Sequence, residues 1–129
     1  MQNNFKFTAL LGVLLLINSG CAAVLVGSGA GAGTVAYVMG ELKSTEEASL
    51  NKARQATQKA LEDLEFVITS EKKEPYSAEF VAYETNDTKI VVKLKRLTGK
   101  FTEISIRVGL FGDESLSQLF LERVRKNLY

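Results

Sequence analysis

The sequence predicts an α+β domain: a two-layer sandwich in which an antiparallel sheet of about five strands carries two helices on one face, in the order β-α-β-β-β-β-α. Three observations predict it. Apolar residues recur every three or four positions in two segments, which is typical of amphipathic helices. Apolar and polar residues alternate in several short runs separated by tight turns, which is typical of antiparallel strands. One-sided helices and a one-sided sheet bury their apolar surfaces by packing together.

The first two predicted elements are a strand and a helix. Side chains alternate from Val35 toward Leu42, which indicates a strand. Ser44 and Glu47 have the spacing of a capping box, and Ser49 offers a later helix cap. The helix ends near residue 65, and its predicted apolar face consists of Leu50, Ala53, Thr57, Ala60, Leu61 and Leu64.

Four strand-like runs and a second helix follow. The runs lie at residues 66–70, 76–82, 88–97 and 101–108, with turn-forming residues between them. Asp113 or Ser115 would cap the C-terminal helix. Its predicted apolar stripe consists of Leu116, Leu119, Phe120, Val124 and Leu128.

The composition excludes several kinds of chemistry. The 129-residue chain has one Cys and no His, so it can form neither an intrachain disulfide nor a site built from several thiolates. Its 16 Lys and Arg nearly balance 15 Asp and Glu, whereas a nucleic-acid binder normally shows a basic excess. No recognisable nucleophile motif is present. We therefore expect no enzymatic activity, no cofactor, no metal site and no nucleic-acid partner.

An uncharged segment near the start of the sequence predicts a targeting signal. After Lys6 the next charged residue is Glu41. Residues 7–17 form an apolar run of about the length expected for the core of a secretory signal.

Small residues follow this run and precede Cys21, the only cysteine of the chain. The placement resembles the lipobox of bacterial lipoprotein signal peptides, although Leu usually stands where this chain has Asn18. The resemblance implies that residues 1–20 are removed and that acyl chains on Cys21 anchor the mature chain to a membrane. Ala22 is not the Asp that resembles an inner-membrane retention signal, so we expect the periplasmic face of the outer membrane.

Two other interpretations of this segment remain. Cys21 could be a buried small hydrophobe, which is the usual fate of a free Cys. The apolar run could also continue through Val26 and cross the bilayer uncleaved, which takes about 20 residues. Asn18 and the glycines that follow disfavour such a span.

Loss of Lys6 with the signal would leave 15 positive and 15 negative side chains, so lipid rather than charge would hold the protein at the membrane.

A glycine-rich run at residues 27–33 separates the predicted anchor from the predicted domain. Gly27, Gly29 and Ala32 formally fit a dinucleotide fingerprint, but the flanking segments lack the strand and helix that it requires. The run is either a flexible tether or a segment that packs in or on the bilayer through small residues spaced four apart. We predict a lipidated cysteine and tether at residues 21–33 and a globular domain at residues 34–129.

Four segments resemble a family of small bacterial lipoproteins that contain a domain of unknown function. They are GTVAYVMGEL at 33–42, ALEDL at 60–64, KIVVKLK at 89–95 and, the most specific, IRVGLFGDE at 106–114. The resemblance covers essentially the whole mature chain and supports lipidation at Cys21. It carries no activity, since none is assigned to that family.

The candidate site residues near the last motif also have structural interpretations. Asp113 and Glu114 beside Arg107 could form an acid pair with a basic partner, but acidic residues at a helix N-terminus favour a cap. Gly109 and Gly112 are interpreted as turn residues rather than as a phosphate cradle.

A basic stripe is a further candidate, because polar positions of two adjacent predicted strands carry Lys89, Lys93, Lys95 and Arg107. Such a stripe could meet an anionic partner. We favour a solvated sheet face, because Glu79 and Glu103 could pair with these cations across the strands.

The sequence therefore favours a membrane-anchored envelope lipoprotein that acts as a protein-interaction or structural module. Its expected partners are the membrane, through acyl chains on Cys21, and another envelope protein. The alternative is a lipoprotein that binds a small apolar or anionic ligand between the sheet and the helices. A carrier needs an internal pocket of roughly 300–1,000 Å³. An interaction module needs an exposed apolar patch or an unpaired strand edge.

Overall fold

A six-stranded antiparallel sheet with two helices on one face forms the part of the chain that the structure, a computed structural model, describes: residues 32–129. The predicted α+β class is thereby confirmed. The signal peptide, Cys21 and most of the predicted tether lie outside the described residues. The elements are β1 Ala32–Val38, β2 Glu41–Glu46, α1 Leu50–Asp63, β3 Val67–Lys73, β4 Ser77–Tyr83, β5 Lys89–Arg96, β6 Thr102–Val108 and α2 Glu114–Leu128.

The strands lie in the order β1-β2-β6-β5-β4-β3. Strands β3 to β6 form a meander of hairpins, and the β1–β2 hairpin adds to the free side of β6. In the described part of the chain, β1 and β3 are therefore the two edges of the sheet. Strand β1 runs from Ala32 at one end of the sheet to Val38 at the other.

The predicted first strand is a hairpin of two strands, which is why the sheet has six strands instead of about five. Met39 and Gly40 form the turn with φ of 53° and 81°. Both values fall in the left-handed region that a type I′ hairpin turn requires. The alternation of side chains continues through the turn residues, so the pattern alone resembles one uninterrupted strand.

The start of α1 differs from the capping-box prediction. Ser49 is the cap, and its Oγ accepts a hydrogen bond from the Lys52 N–H at 3.2 Å. Ser44 instead lies in β2, where it pairs with Ile104 of β6. Serine, threonine and acidic residues usually favour a helix start, but here pairing between strands distant in sequence overrides that preference.

The core lies between one sheet face and the two helices, which also pack against each other. Phe80 of β4 and Phe120 of α2 are its largest buried side chains. The predicted stripe of α2 is confirmed in its second half, whereas Leu116 and Leu119 in its first turns are exposed. The other buried apolar residues are Leu42, Ala48, Ala53, Ala56, Ala60, Leu61, Ala78, Ala82, Ile90, Val92, Leu94, Ile104, Ile106, Val108, Leu121, Val124 and Leu128.

Candidate interaction surface

Two turns at one end of the sheet expose a cluster of large apolar side chains. Met39 belongs to the β1–β2 turn, and Leu110 and Phe111 belong to the loop between β6 and α2; they are 89%, 83% and 88% exposed. Val38 beside them is also exposed. We call these four residues the apolar tip. Single exposed apolar residues are ordinary, but clusters of them mark interaction sites.

Two glycines hold the turns of the apolar tip together. A Cβ added to Gly40 would lie 2.5 Å from the Phe111 carbonyl oxygen, and one added to Gly112 would overlap the backbone of Gly40. Both residues also have positive φ, at 81° and 84°. Only glycine combines this conformation with so close an approach of two backbones.

A side chain adds a third connection between the turns. The Arg107 guanidinium donates a hydrogen bond through Nη2 to the Met39 carbonyl oxygen at 2.9 Å. In addition, the N–H of Gly109 donates to the Lys89 carbonyl oxygen at 2.7 Å and thereby ties the loop to β5. The apolar side chains therefore project from a backbone that the fold itself holds in place.

Asp113, Gly109 and Gly112 have the structural roles that the sequence predicted for them. Asp113 caps α2, since its carboxylate accepts the Leu116 N–H at 3.0 Å. Glu114 occupies the first turn of the helix, where a negative charge is favourable. Gly109 and Gly112 both have the positive φ of turn residues. The acid-pair interpretation is not supported, because Arg107 is directed to the Met39 carbonyl instead.

The four residues of the predicted basic stripe lie on the outer face of the sheet, away from the helices. Glu79 stands directly opposite Lys93, and Glu103 stands directly opposite Lys95. Carboxylates therefore lie beside two of these cations. Such a mixture of charges agrees with an ordinary solvent-exposed sheet face.

The outer face carries several open depressions, two of which are larger than the rest. One of about 630 Å³ spreads over the mixed charges of β2, β4, β5 and β6. At its rim, hydrogen bonds from Ser77 and Lys72, together with the charge of Lys72, lower the pKa of the Glu74 carboxyl. The other, of about 480 Å³, adjoins the apolar tip at Leu110 and is lined by Asp87, Lys89, Val91 and Arg107 among others.

The closed space between the sheet and the helices is small: its cavity measures about 80 Å³ and is lined mainly by apolar side chains, among them Phe66, Val108 and Leu119. An open cleft of about 440 Å³ lies where the start of α1 meets the β3–β4 turn and the end of β5, with Arg54 and Arg96 in its lining. A ligand-binding pocket normally holds roughly 300–1,000 Å³. In the described residues, the closed interior thus has too little room for a ligand, whereas the open cleft beside α1 has a volume within this range.

A buried ionic cluster that the sequence analysis missed joins β2 to α2. Glu46 is fully buried, and its Oε1 accepts hydrogen bonds from Arg125 Nε at 2.9 Å and from the Ser44 hydroxyl. Arg125 Nη2 lies 2.8 Å from the same oxygen. The Tyr129 hydroxyl donates to Oε2 at 3.4 Å, and burial, followed by the Glu46 charge, raises the pKa of that hydroxyl. The cluster is structural, because its carboxylate is enclosed and engaged by these partners.

The described part of the chain contains neither a metal-ligand cluster nor a membrane-crossing helix. Among residues 32–129, no group of three or more His, Cys, Asp or Glu side chains could hold a metal ion. Neither helix in this range combines the length and the apolar character needed to cross a bilayer.

These features define a small two-layer α+β domain whose most distinctive surface is the apolar tip, formed by two turns in close backbone contact. The chain belongs to the DUF3568 family, described as a protein of unknown function, whose model matches residues 4–127. No match to the chain was found among curated proteins.

Proposed function

We propose that this protein is a lipid-anchored module of the bacterial envelope that binds another envelope protein through its apolar tip. Acyl chains on Cys21 would hold it at the periplasmic face of the outer membrane, and two or more such chains give a stable anchor. The family match begins at residue 4, so the segment that carries Cys21 is part of the family pattern. The role is one of binding and not of catalysis.

The observation that carries the proposal is that the exposed apolar residues project from two turns whose backbones are in direct contact. Exposing Met39, Leu110 and Phe111 to water brings no benefit to folding, because burial of such side chains is what stabilises a domain. The contacts between Gly40 and Gly112 order the turns before any partner arrives. Preorganisation of this kind lowers the entropic cost of binding. Aromatic and Met side chains are also the types enriched at protein interfaces.

The charges around the tip favour a protein partner over the lipid bilayer. The strand ends and turns around the tip carry five carboxylates against three cations, which are Lys89, Arg107 and Lys43, the last 3.9 Å from Glu41. A net negative rim is repelled by anionic lipids. The same negative rim would complement a partner protein whose apolar pocket is bordered by basic side chains. The carboxylates are Glu41, Glu84, Asp87, Asp113 and Glu114.

The small-molecule carrier is the weaker candidate. Its ligand would have to lie in the open, solvent-facing cleft of about 440 Å³ beside α1, because the closed interior of the described residues leaves only about 80 Å³. The open depressions on the outer face are broad and polar at their edges, and are more typical of a protein surface.

Site-specific photocrosslinking tests the proposal. Phe111 is replaced by a photoreactive phenylalanine analogue in the full-length chain. The variant is produced in the native bacterial cells, and the cells are irradiated. We expect a discrete crosslinked protein, because the side chain at this position would enter the partner's pocket. Leu97, a half-exposed apolar residue in the β5–β6 turn at the other end of the sheet, provides the matched control position.

Removal of the other apolar side chains of the tip provides a second test. Leu110→Ser combined with Met39→Ser should abolish the crosslink formed at position 111, whereas Leu97→Ser should leave it unchanged. Since all three side chains are largely or partly exposed, the unfolding midpoint should stay the same in both variants. A crosslink of equal yield at positions 111 and 97, or one that survives loss of the other tip residues, would contradict binding through the tip.

A further inference from the structure

The two edges of the sheet differ in how they are protected. Strand β3 has an irregularity between Ile68 and Ser70 and carries Glu71, Lys72 and Lys73 along its second half. Glu71 also forms an ion pair with Arg54 of α1 at 2.7 Å. Charges and bulges of this kind prevent edge-to-edge association. Strand β1 also has an irregularity, between Ala32 and Val35, but it pairs regularly with β2 from Val35 to Val38 and has no charged residue and no proline in its sequence AGTVAYV.

The hairpin geometry shows which backbone groups of β1 face outward. Val38 and Glu41 close the two-residue turn, and in such a hairpin the closing pair exchanges both of its hydrogen bonds. Hydrogen-bonding direction alternates along a strand, so Ala36 also faces β2, opposite Lys43. Val35 and Tyr37 therefore direct their N–H and C=O groups away from the sheet.

These outward groups are complementary to themselves. When two copies of β1 run antiparallel about a two-fold axis at Ala36, Val35 of each copy stands opposite Tyr37 of the other. Both pairs are then hydrogen-bonding pairs, which gives four backbone hydrogen bonds. Each also places an aliphatic side chain against an aromatic one, a favourable cross-strand combination. Ala36, exposed and small, meets its own copy on the outer face.

We propose that β1 pairs with β1 of a second copy, which joins the two sheets into one continuous antiparallel sheet centred on Ala36. The self-complementary register favours a second copy as the occupant, because an identical strand supplies both the hydrogen-bonding partners and the Val35–Tyr37 side-chain pairs. An identical strand meets no like-charge repulsion and satisfies the symmetry of a two-fold contact. This inference does not rest on the apolar tip, of which only Val38 belongs to β1.

Disulfide trapping of the full-length protein tests the register. The proposed axis makes the two Ala36 residues a directly opposed, non-hydrogen-bonding pair with Cβ atoms about 4.5–5.5 Å apart, which a disulfide can bridge with a small adjustment. Ala36→Cys should therefore give a covalent dimer under mild oxidation. Thr34→Cys is the matched control, because it lies on the same strand but would face Val38 of the second copy. The unsubstituted chain measures any dimer formed through Cys21.

A charge variant tests the association itself. Ala36→Glu places a carboxylate beside Lys43 of its own chain, so the fold is expected to be retained. Two such carboxylates at the axis repel each other, and the dissociation constant of the dimer should rise about tenfold or more, measured by sedimentation of detergent-solubilised protein. The proposal is overturned if the unsubstituted protein sediments as a monomer, or if the Ala36→Glu variant sediments in the same way as the unsubstituted protein. It is also overturned if Ala36→Cys forms no more covalent dimer than Thr34→Cys. Crosslinking at Phe111 should be unaffected by Ala36→Glu, which separates this result from the proposed function.

Discussion

At the scale of single residues, the carboxylate of Glu46 has the greatest energetic consequence. It is fully buried, and removal of a charge from water costs several kcal/mol unless partners compensate it. Arg125 supplies the opposite charge with two nitrogens directed at the same oxygen. Because Glu46 lies in β2 and Arg125 in α2, this pair fixes the position of the C-terminal helix on the sheet.

We predict that Arg125→Met lowers the free energy of unfolding by about 3–5 kcal/mol, because it leaves the Glu46 carboxylate buried without its counter-charge. Urea denaturation measures the change. Arg123→Met is the matched control: Arg123 is more exposed, lies 3.9 Å from Asp63, and should contribute at most about 1 kcal/mol. Equal losses in the two variants would show that the buried carboxylate does not depend on Arg125. The double variant Glu46→Leu with Arg125→Met should recover much of the stability, since no buried charge remains.

The sequence could predict some residues of this kind and not others. The cap at Asp113 was predictable, because the cap and the helix that it begins are adjacent in sequence. Glu46 was not, since its compensating charge is 79 positions away and its local neighbours are typical of a helix start. Pairing of β2 with β6 decides the environment of Glu46, and no local pattern records that pairing.

At the scale of elements, the contact between the β1–β2 hairpin and the β6–α2 loop positions the apolar tip. The sequence identified Gly112 as a turn residue, which is confirmed by its φ of 84°. It did not reveal the close approach of Gly112 to Gly40. Each glycine alone is compatible with an ordinary turn, and only the packing of two distant segments brings them together. The composition of the tip was visible in the sequence, whereas its location on one surface was not.

We predict that Gly112→Ala is much more destabilising than Gly109→Ala. Both alanines would occupy the left-handed region, which costs about 1–2 kcal/mol. At Gly109 a Cβ meets nothing within 4 Å, whereas at Gly112 it overlaps the backbone of Gly40. Forced separation of the two turns should add about 1–3 kcal/mol. Thermal and urea unfolding of the two variants measure the difference, and similar losses would mean that the turns are not held together as described.

At the scale of the whole molecule, the fold class was predictable and the sheet order was not. The periodicities of the helices and of strands β3 to β6 are local, and short turns make sequential strands neighbours. The placement of β2 beside β6 depends on a long-range pairing, and it is this pairing that makes β1 an edge. The two proposed contacts, through the apolar tip and through β1, both arise from the hairpin that the sequence pattern presented as one strand.

The anchor that would bring these surfaces to a membrane gives the last prediction. The unsubstituted chain should incorporate a labelled fatty acid and lose residues 1–20, because the Cys21 thiol is acylated before the signal is removed. Cys21→Ala should incorporate no label and keep the mass of the uncleaved chain, while Ser28→Ala, in the predicted tether, should behave like the unsubstituted protein. Gel mobility, intact mass and label incorporation measure these outcomes.

Membrane fractionation alone is insufficient, since an uncleaved apolar segment also sediments with membranes. Asn18→Leu, which completes the lipobox pattern, should increase the processed fraction. An unlabelled, full-length chain without any substitution would instead identify residues 7–26 as a membrane span.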